Sequence, residues 1–467
     1  MLFQGVPMQR IKTNTAFTEG GLFFKILLYT LPIIATNILT LLYNTADQIV
    51  VGQFSSDPNA LAAVGSTGTL TNLIVNLLFG MTAGTGVIVA RSYGARDKEA
   101  LSRAVHTSML FSVIGGVAVM ILGLAVCRWG LALMGTKEDI FESAVLYMSI
   151  ILCGVPASSV FNFAASIIRS TGDSKTPFVI LASTGIVNII FNLIFVILFH
   201  MGVAGVALAT IIAQYLSAAW SVLLLVRTKE DFRMSFSKLK IDPQMFRQVL
   251  LIGIPSGIQG SLFSISNILI QSSINTFTTP EVSGSTISGT LEGYAYTAGN
   301  CFYQSVITFV GQNYGAGKYG RVKKTLLYCM LQSALAVALV SWVELLLAGQ
   351  LVPIFVDMSS PIAEQIVEAA ITRMSIILVC YFLTGPMDVL TGYLRALGMS
   401  ILPMITSIVC ACGLRVLWCI LVFPNYGTPL SLYIIFPISW VATVLCNSII
   451  SLAVNHKVLR QRETVMV

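Results

Sequence analysis

Between Thr176 and Val226 the chain carries no Asp, Glu, Lys or Arg, and the same holds from Val416 to His456. As one helix rising ~1.5 Å per residue, the first run would make a rod of roughly 77 Å, against a hydrocarbon core of about 30 Å. It must therefore fold back, with the turn expected at His200 to Gly202. In the second run FPNYGTP, Phe423 to Pro429, supplies the turn-forming residues. Composition agrees, because only 10% of the 467 residues are charged and 56% are hydrophobic. A soluble domain carries about 25% charged residues. A surface this poor in charge faces lipid, where only a helix or a closed barrel satisfies its own backbone. The expectation is an all-α integral membrane protein.

Matching apolar runs to spans of about 20 residues predicts twelve helices, near 23–51, 60–90, 101–128, 141–169, 176–200, 203–227, 246–277, 282–313, 321–350, 364–394, 400–423 and 430–455. The basic residues test that count. Of 27 Lys and Arg, 23 fall in the termini and even-numbered connections, and only Arg128 and Lys137 in odd-numbered ones. Arg373 and Arg415 fall within spans. The positive-inside rule then predicts that both termini and the 228–245 connection are cytoplasmic. The expected division begins with residues 1–21, a protease-site scar (LFQG, Leu2 to Gly5) and a cytoplasmic segment. A six-helix bundle over 22–227, a cytoplasmic linker over 228–245, a second six-helix bundle over 246–456 and a cytoplasmic tail over 457–467 follow. The linker stretch EDFRMSFSKLKIDPQMFRQ, Glu230 to Gln248, is basic and amphipathic, as expected of a segment lying on the anionic inner leaflet.

The chain also repeats itself. VARSYGARDKEALSR (Val89 to Arg103) returns 221 residues later as VGQNYGAGKYGRVKK (Val310 to Lys324). LLYTLP (Leu27 to Pro32) matches LLIGIP (Leu250 to Pro255) at an offset of 223, with Asn44 on Asn267 and Gln48 on Gln271. RSTGDSKTP (Arg169 to Pro177) matches RALGMSILP (Arg395 to Pro403) at 226. Six helices per repeat preserve orientation, so the two bundles should be related by a pseudo-two-fold axis along the membrane normal.

LPIIATNILTLLYNTADQIVVGQ, GMTAGTGVIVARSYGARDKEA, RSTGDSKTP, FVGQNYGAGKYGRVKK and GYLRALGMSILP, in this order and spacing from about Leu22 to Lys457, resemble the multidrug and toxic compound extrusion (MATE) family. The resemblance implies a secondary antiporter of a bacterial inner membrane, a monomer with a central cleft. It would export amphipathic, often cationic organic compounds by alternating access in exchange for H⁺ or Na⁺. It implies no further cofactor and no nucleic-acid partner.

Ionisable side chains inside a span cost about 2.5–3.5 kcal/mol on insertion scales, which singles out Asp47, Glu142, Glu292, Glu344 and Asp388. Glu142 lies near a helix end, and Glu344 is expected close to the outer surface. Tyr43, Asn44, Asp47 and Gln48 share one face of helix 1 by i, i+3 and i+4 spacing. In the family this is the position of the ion-coupling aspartate, paired with polar residues on helix 5. Here these are Asn188 and Asn192, and Asn192 stands where some members have Asp. Helix 7 lacks the acid that many members carry, so Glu292, sharing a face with Asn300, is expected to take that role. Asp388 lies one turn beyond the family's helix-10 acid, whose place is taken by Thr384.

The expected ion-coupling set is thus Asp47, Glu292, Asp388, Asn188 and Asn192, with a possible Na⁺ near Asp47, Asn188 and Asn192. The expected cleft is lined by Tyr43, Asn44, Gln48, Asn162, Asn267, Gln271, Tyr294, Asn300, Arg415 and Trp418. Arg415 needs a counter-ion, with Asp388 or Glu292 the natural partner.

The nine cysteines show no CxxC or CxxH spacing and the three histidines are scattered, which argues against a disulfide framework or a zinc site. A flippase for lipid-linked sugars is the alternative within transport, and it calls for a broadly basic cavity. A membrane-embedded enzyme is the remote alternative, for which no HExxH or GxSxG occurs.

Overall fold

The computed structural model describes residues 15–54, 60–356 and 358–459. Among them run twelve long helices: α1 Phe23–Phe54, α2 Ala60–Gly94, α3 Lys98–Leu133, α4 Glu138–Ser170, α5 Lys175–Leu198 and α6 Gly202–Arg227. Then come α7 Pro243–Ile274, α8 Thr279–Gly315, α9 Tyr319–Leu346, α10 Ala363–Ala396, α11 Ile401–Tyr426 and α12 Pro429–Lys457. Ten of these are long and apolar enough to cross a membrane by length and composition, and α2 and α8 are the other two. In α8 the shortfall has a cause, because SGSTISGTLEGYAYTAGN is built of small and polar residues and packs against protein. Large apolar side chains such as Leu28, Leu122, Ile186, Leu339 and Leu452 point outward. Such a surface suits lipid.

The chain is an all-α membrane protein of two six-helix bundles, α1–α6 and α7–α12, and the repeated motifs show how they are related. Gly94 at the end of α2 lies so close to Gln312 of α8 that no Cβ would fit. Gly315 at the end of α8 lies as close to the backbone of Arg91 on α2. At the repeat offset, 94 corresponds to 315 and 91 to 312, so each motif makes on the other the contact it receives. Reciprocity of this kind marks a two-fold axis. The turns that follow repeat too: Arg96 (φ 56) and Gly317 (φ 72) occupy the left-handed region, as do Gly172 (φ 107) and Gly398 (φ 80). The motifs recur because the same turn and the same crossing are built twice.

Hydrogen bonds joining the halves cluster at the basic end. Thr30 and Ser305 hydroxyls are 2.7 Å apart, those of Tyr29 and Thr308 3.1 Å, and Arg91 donates two bonds to the Ala396 carbonyl at 2.9 and 2.7 Å. Gln312 donates to the Ser170 carbonyl at 2.7 Å. Gly80 and Gly84 of α2 press on the backbone of α7 around Val249, Gly253 and Gly257. The halves are therefore closed at the basic end, and a cavity lies between them beyond it.

The 228–245 connection departs from expectation. Phe232 and Met234 are buried within the first bundle's core, and the Ser235 backbone N–H donates to His106 Nε2 at 2.9 Å. Its apolar residues thus anchor it to α3 and neighbouring helices, and Phe236 alone of these three apolar side chains stays well exposed. The connection between α1 and α2, residues 55–59, and the stretch Leu2 to Gly5 expected to be a protease-site scar lie outside the described residues.

Candidate functional site

The cavity occupies about 1090 Å³ and is walled by both bundles. On the first bundle, Asp47 projects from α1 and is only 8% exposed. Asn192 Nδ2 of α5 donates to Asp47 Oδ1 at 2.5 Å, and Thr210 Oγ1 of α6 donates to Oδ2 at 3.1 Å. Asn188 Nδ2 donates to Thr210 Oγ1 at 3.3 Å, and Asn192 Nδ2 also reaches Asn188 Oδ1 at 3.3 Å. The i, i+4 spacing of the two asparagines places both on the face of α5 that meets α1. All of Asp47's recorded hydrogen-bond donors are neutral. The remaining Asn192 oxygen, Oδ1, is buried with no partner. One carboxylate beside amide and hydroxyl oxygens is a donor set that hard cations accept. Among the described residues no group of three His, Cys, Asp or Glu gathers to hold a metal.

On the second bundle the expected pairing changes. Glu292 is gripped by Arg373, whose Nε and Nη2 donate to its two oxygens at 2.8 and 3.0 Å, while the Ser288 hydroxyl adds a bond at 2.8 Å. Arg373 Nη1 donates to Ser285 Oγ at 2.5 Å. Arg415, expected to pair with Glu292 or Asp388, pairs with neither: its Nε donates to Ser439 Oγ at 3.0 Å and its guanidinium lies 4.7 Å from the Phe436 ring centre. The rotation of α10 brings Arg373 to Glu292, and Arg415 on α11 faces α12 instead. Asp388 accepts from Asn300 Nδ2 at 2.9 Å, and that same amide reaches Tyr296 at 3.1 Å.

Of the expected cleft residues, Tyr43, Asn162, Asn267, Gln271, Asn300 and Arg415 line the cavity. Tyr43 donates to the Ala182 carbonyl at 3.1 Å and closes on α5. Tyr294 and Trp418 are not among the lining residues. Tyr296, two positions on, replaces the former, and Trp418 turns to donate to the Ser431 carbonyl at 2.7 Å. The side chains of Asn44 and Gln48 lie outside those described. Glu344 is buried rather than near the surface, 7% exposed, with Oε2 unpartnered. Glu142, by contrast, is exposed at its helix end and paired with Arg128.

Three further residues carried no signal in the sequence. Thr210 looked like any hydroxyl in an apolar helix, most of which bond their own carbonyl four residues back, as Thr36 and Thr184 do. Arg169 and Arg395 sit in the repeated R-x-x-G motif and counted as loop charges, yet both line the cavity floor. Arg169 is bonded to Gln304. Arg395 donates to Tyr303 and to Gln259 at 2.5 and 2.7 Å.

Known proteins share this architecture. A probable multidrug resistance protein of Bacillus subtilis, YoeA, is 25% identical over 404 residues, covering 83% of this chain and 84% of its own. NorM of Thermotoga maritima, also described as a probable multidrug resistance protein, is 23% identical, with 81% of each chain covered. Among solved structures, an outward-facing multidrug resistance MATE family transporter of the MOP superfamily superposes with a TM-score of 0.86 at 21% identity, covering 98% of this chain and all of that one. A MOP superfamily transporter from Pyrococcus furiosus, described as having a binding pocket of reverse polarity, gives 0.85 at 21% identity over 97% and 99%. The MatE family model matches twice, at residues 32–194 and 255–421, each match beginning on one of the repeated prolines. With the fold, the doubled motif and the doubled match in agreement, the chain belongs to the MatE family.

Proposed function

We propose that this protein is a cation-coupled antiporter that exports small amphipathic organic compounds through the cavity between its bundles. One observation carries the reading: Asp47 is buried at the cavity wall, and its recorded hydrogen-bond donors are an amide and a hydroxyl. A carboxylate so placed has its charge balanced by a cation that enters, whether H⁺ or Na⁺. If the basic end faces the cytoplasm, the cavity faces the opposite side, where such a cation arrives down its gradient. Binding there favours release of substrate, and by linkage each ligand weakens the other. Rocking of the bundles, which opens the basic end as the other end closes, then returns the emptied site. The membrane potential adds about 2.3 kcal/mol per charge per 100 mV. The names of the bacterial relatives, both probable multidrug resistance proteins, support multidrug efflux. The cationic substrates expected of the family would meet Asp388 at the wall. No chemical step on the substrate belongs to this reading.

The test is efflux from proteoliposomes under an imposed pH or sodium gradient, with dye binding measured alongside. Asp47→Asn keeps the shape and most hydrogen bonding, so it should lose gradient-driven efflux and still bind dye. Gradient-driven efflux at the wild-type rate in Asp47→Asn would overturn the assignment.

A further inference from the structure

Among the described residues the cavity wall holds four arginines, and three are spoken for: Arg373 by Glu292, Arg395 by Tyr303 and Gln259, and Arg169 by Gln304. Arg415 differs. It is 4% exposed, lines the cavity, and spends one of its five N–H donors on Ser439. Among the described residues no ion pair joins it to a carboxylate, the buried Arg373–Glu292 pair being formed without it. An unpaired guanidinium deep in a membrane protein is costly. Its other donors border a space large enough for an organic molecule. Beside it Tyr381, Phe436 and Trp440 form an apolar shelf, with Tyr381 and Trp440 edge to face at 5.1 Å. A guanidinium fork donates two parallel bonds to a carboxylate, phosphate or sulfonate, where an ammonium offers only a point charge.

We infer that Arg415 is the docking point for the oxyanion of an amphipathic ligand, with the ligand's apolar body against Tyr381, Phe436 and Trp440. The site lies in the second bundle, apart from Asp47 in the first, so the anionic group and the coupling cation occupy different walls. The ligand class that Arg415 selects is an organic anion or a zwitterion, and in a zwitterion the cationic group is the one that meets Asp388. The inference deepens the antiporter reading and rests on the cavity being the substrate path. The oxyanion belongs either to a free organic compound or to the headgroup of an anionic lipid, and the chemistry at Arg415 is the same for both.

The experiment is equilibrium binding, with no gradient, of dansylglycine and its uncharged partner dansylglycinamide to purified protein in phosphatidylcholine nanodiscs. The acid should bind about tenfold more tightly than the amide, the scale of one charged hydrogen bond lost. Arg415→Gln should abolish that preference. Arg415→Lys, which keeps the charge but not the fork, should retain part of it, and it serves as the readout if the glutamine variant does not fold. Repeating the measurement with phosphatidylglycerol in the discs separates the sources. A preference that disappears there assigns the site to a lipid headgroup, and one that persists assigns it to a free organic anion. Equal binding of acid and amide by the wild type, or an undiminished preference in Arg415→Gln, overturns the inference. Loss of gradient-driven efflux with the acid preference intact would instead count against antiport alone, so the two readings fail separately.

Discussion

Asp47 accepts from a neutral amide and hydroxyl, whereas Glu292 is held in a fork by Arg373, so removing each charge has a different consequence. Asparagine at 47 strands no cation. Glutamine at 292 leaves Arg373, only 7% exposed, without its counter-charge. Breaking a buried pair from one side costs roughly 3–5 kcal/mol in soluble proteins. Glu292→Gln should therefore lower the melting temperature of the detergent-solubilised protein by several degrees, while Asp47→Asn melts close to wild type. Equal melting of all three would mean that the Glu292–Arg373 pair does not hold the second bundle together. The contrast also marks what the sequence disclosed. Asp47, Asn188 and Asn192 were legible because each interrupts an apolar face at helical spacing. The partner of Glu292 was not, because two buried arginines and three acids can be matched in several ways, and only the rotation of α10 against α8 chooses. Trp418 and Tyr294 failed for a related reason: an aromatic side chain is as much at home in packing as in a cavity wall.

Helices were legible from apolar length and charge, and the breaks inside them were less so. The α10 span runs as one element through a short 3₁₀ turn, Tyr381–Leu383. Pro386 explains the turn, since it lacks the N–H that would bond the carbonyl four residues back and its ring crowds that carbonyl. In α11 two π-helical stretches, Ser407–Gly413 and Trp418–Val422, flank Arg415. Such widened turns occur often at functional sites, and here they set the angle at which the guanidinium meets the cavity. The crossing of α2 and α7 is the tightest test at this scale. A Cβ on Gly253 would lie 2.8 Å from the Met81 Cα, a backbone atom that cannot swing away. Gly253→Val should force the halves apart at the basic end. Spin labels on the ends of α2 and α7 should then report a longer, broader distance distribution than in the wild type, with slower efflux. An unchanged distribution would show that the crossing has slack that the geometry denies.

At the scale of the molecule, the proposed antiport makes the closed basic end, with the cavity beyond it, one of two alternating states. Alternating access requires that the contacts closing this end separate once per cycle. The Thr30 and Ser305 hydroxyls, one from each bundle and 2.7 Å apart, stand at that seam. At the repeat offsets Thr30 falls on Gly253 and Ser305 on Gly84, where α7 and α2 meet backbone to backbone instead. Replacing Thr30 and Ser305 with cysteine, in a background where the native cysteines are serine, places two thiols within reach of a disulfide. Neither position faces Asp47 or Arg415, so the variant should bind substrate in both redox states. Under oxidant, gradient-driven efflux should stop while dye binding persists, and a reductant should restore efflux. Single-cysteine variants treated alike should be unaffected. Undiminished efflux from fully cross-linked protein would mean that the bundles never part at this seam. The closed end would then be a fixed hinge, and transport would need a path that does not run between the halves.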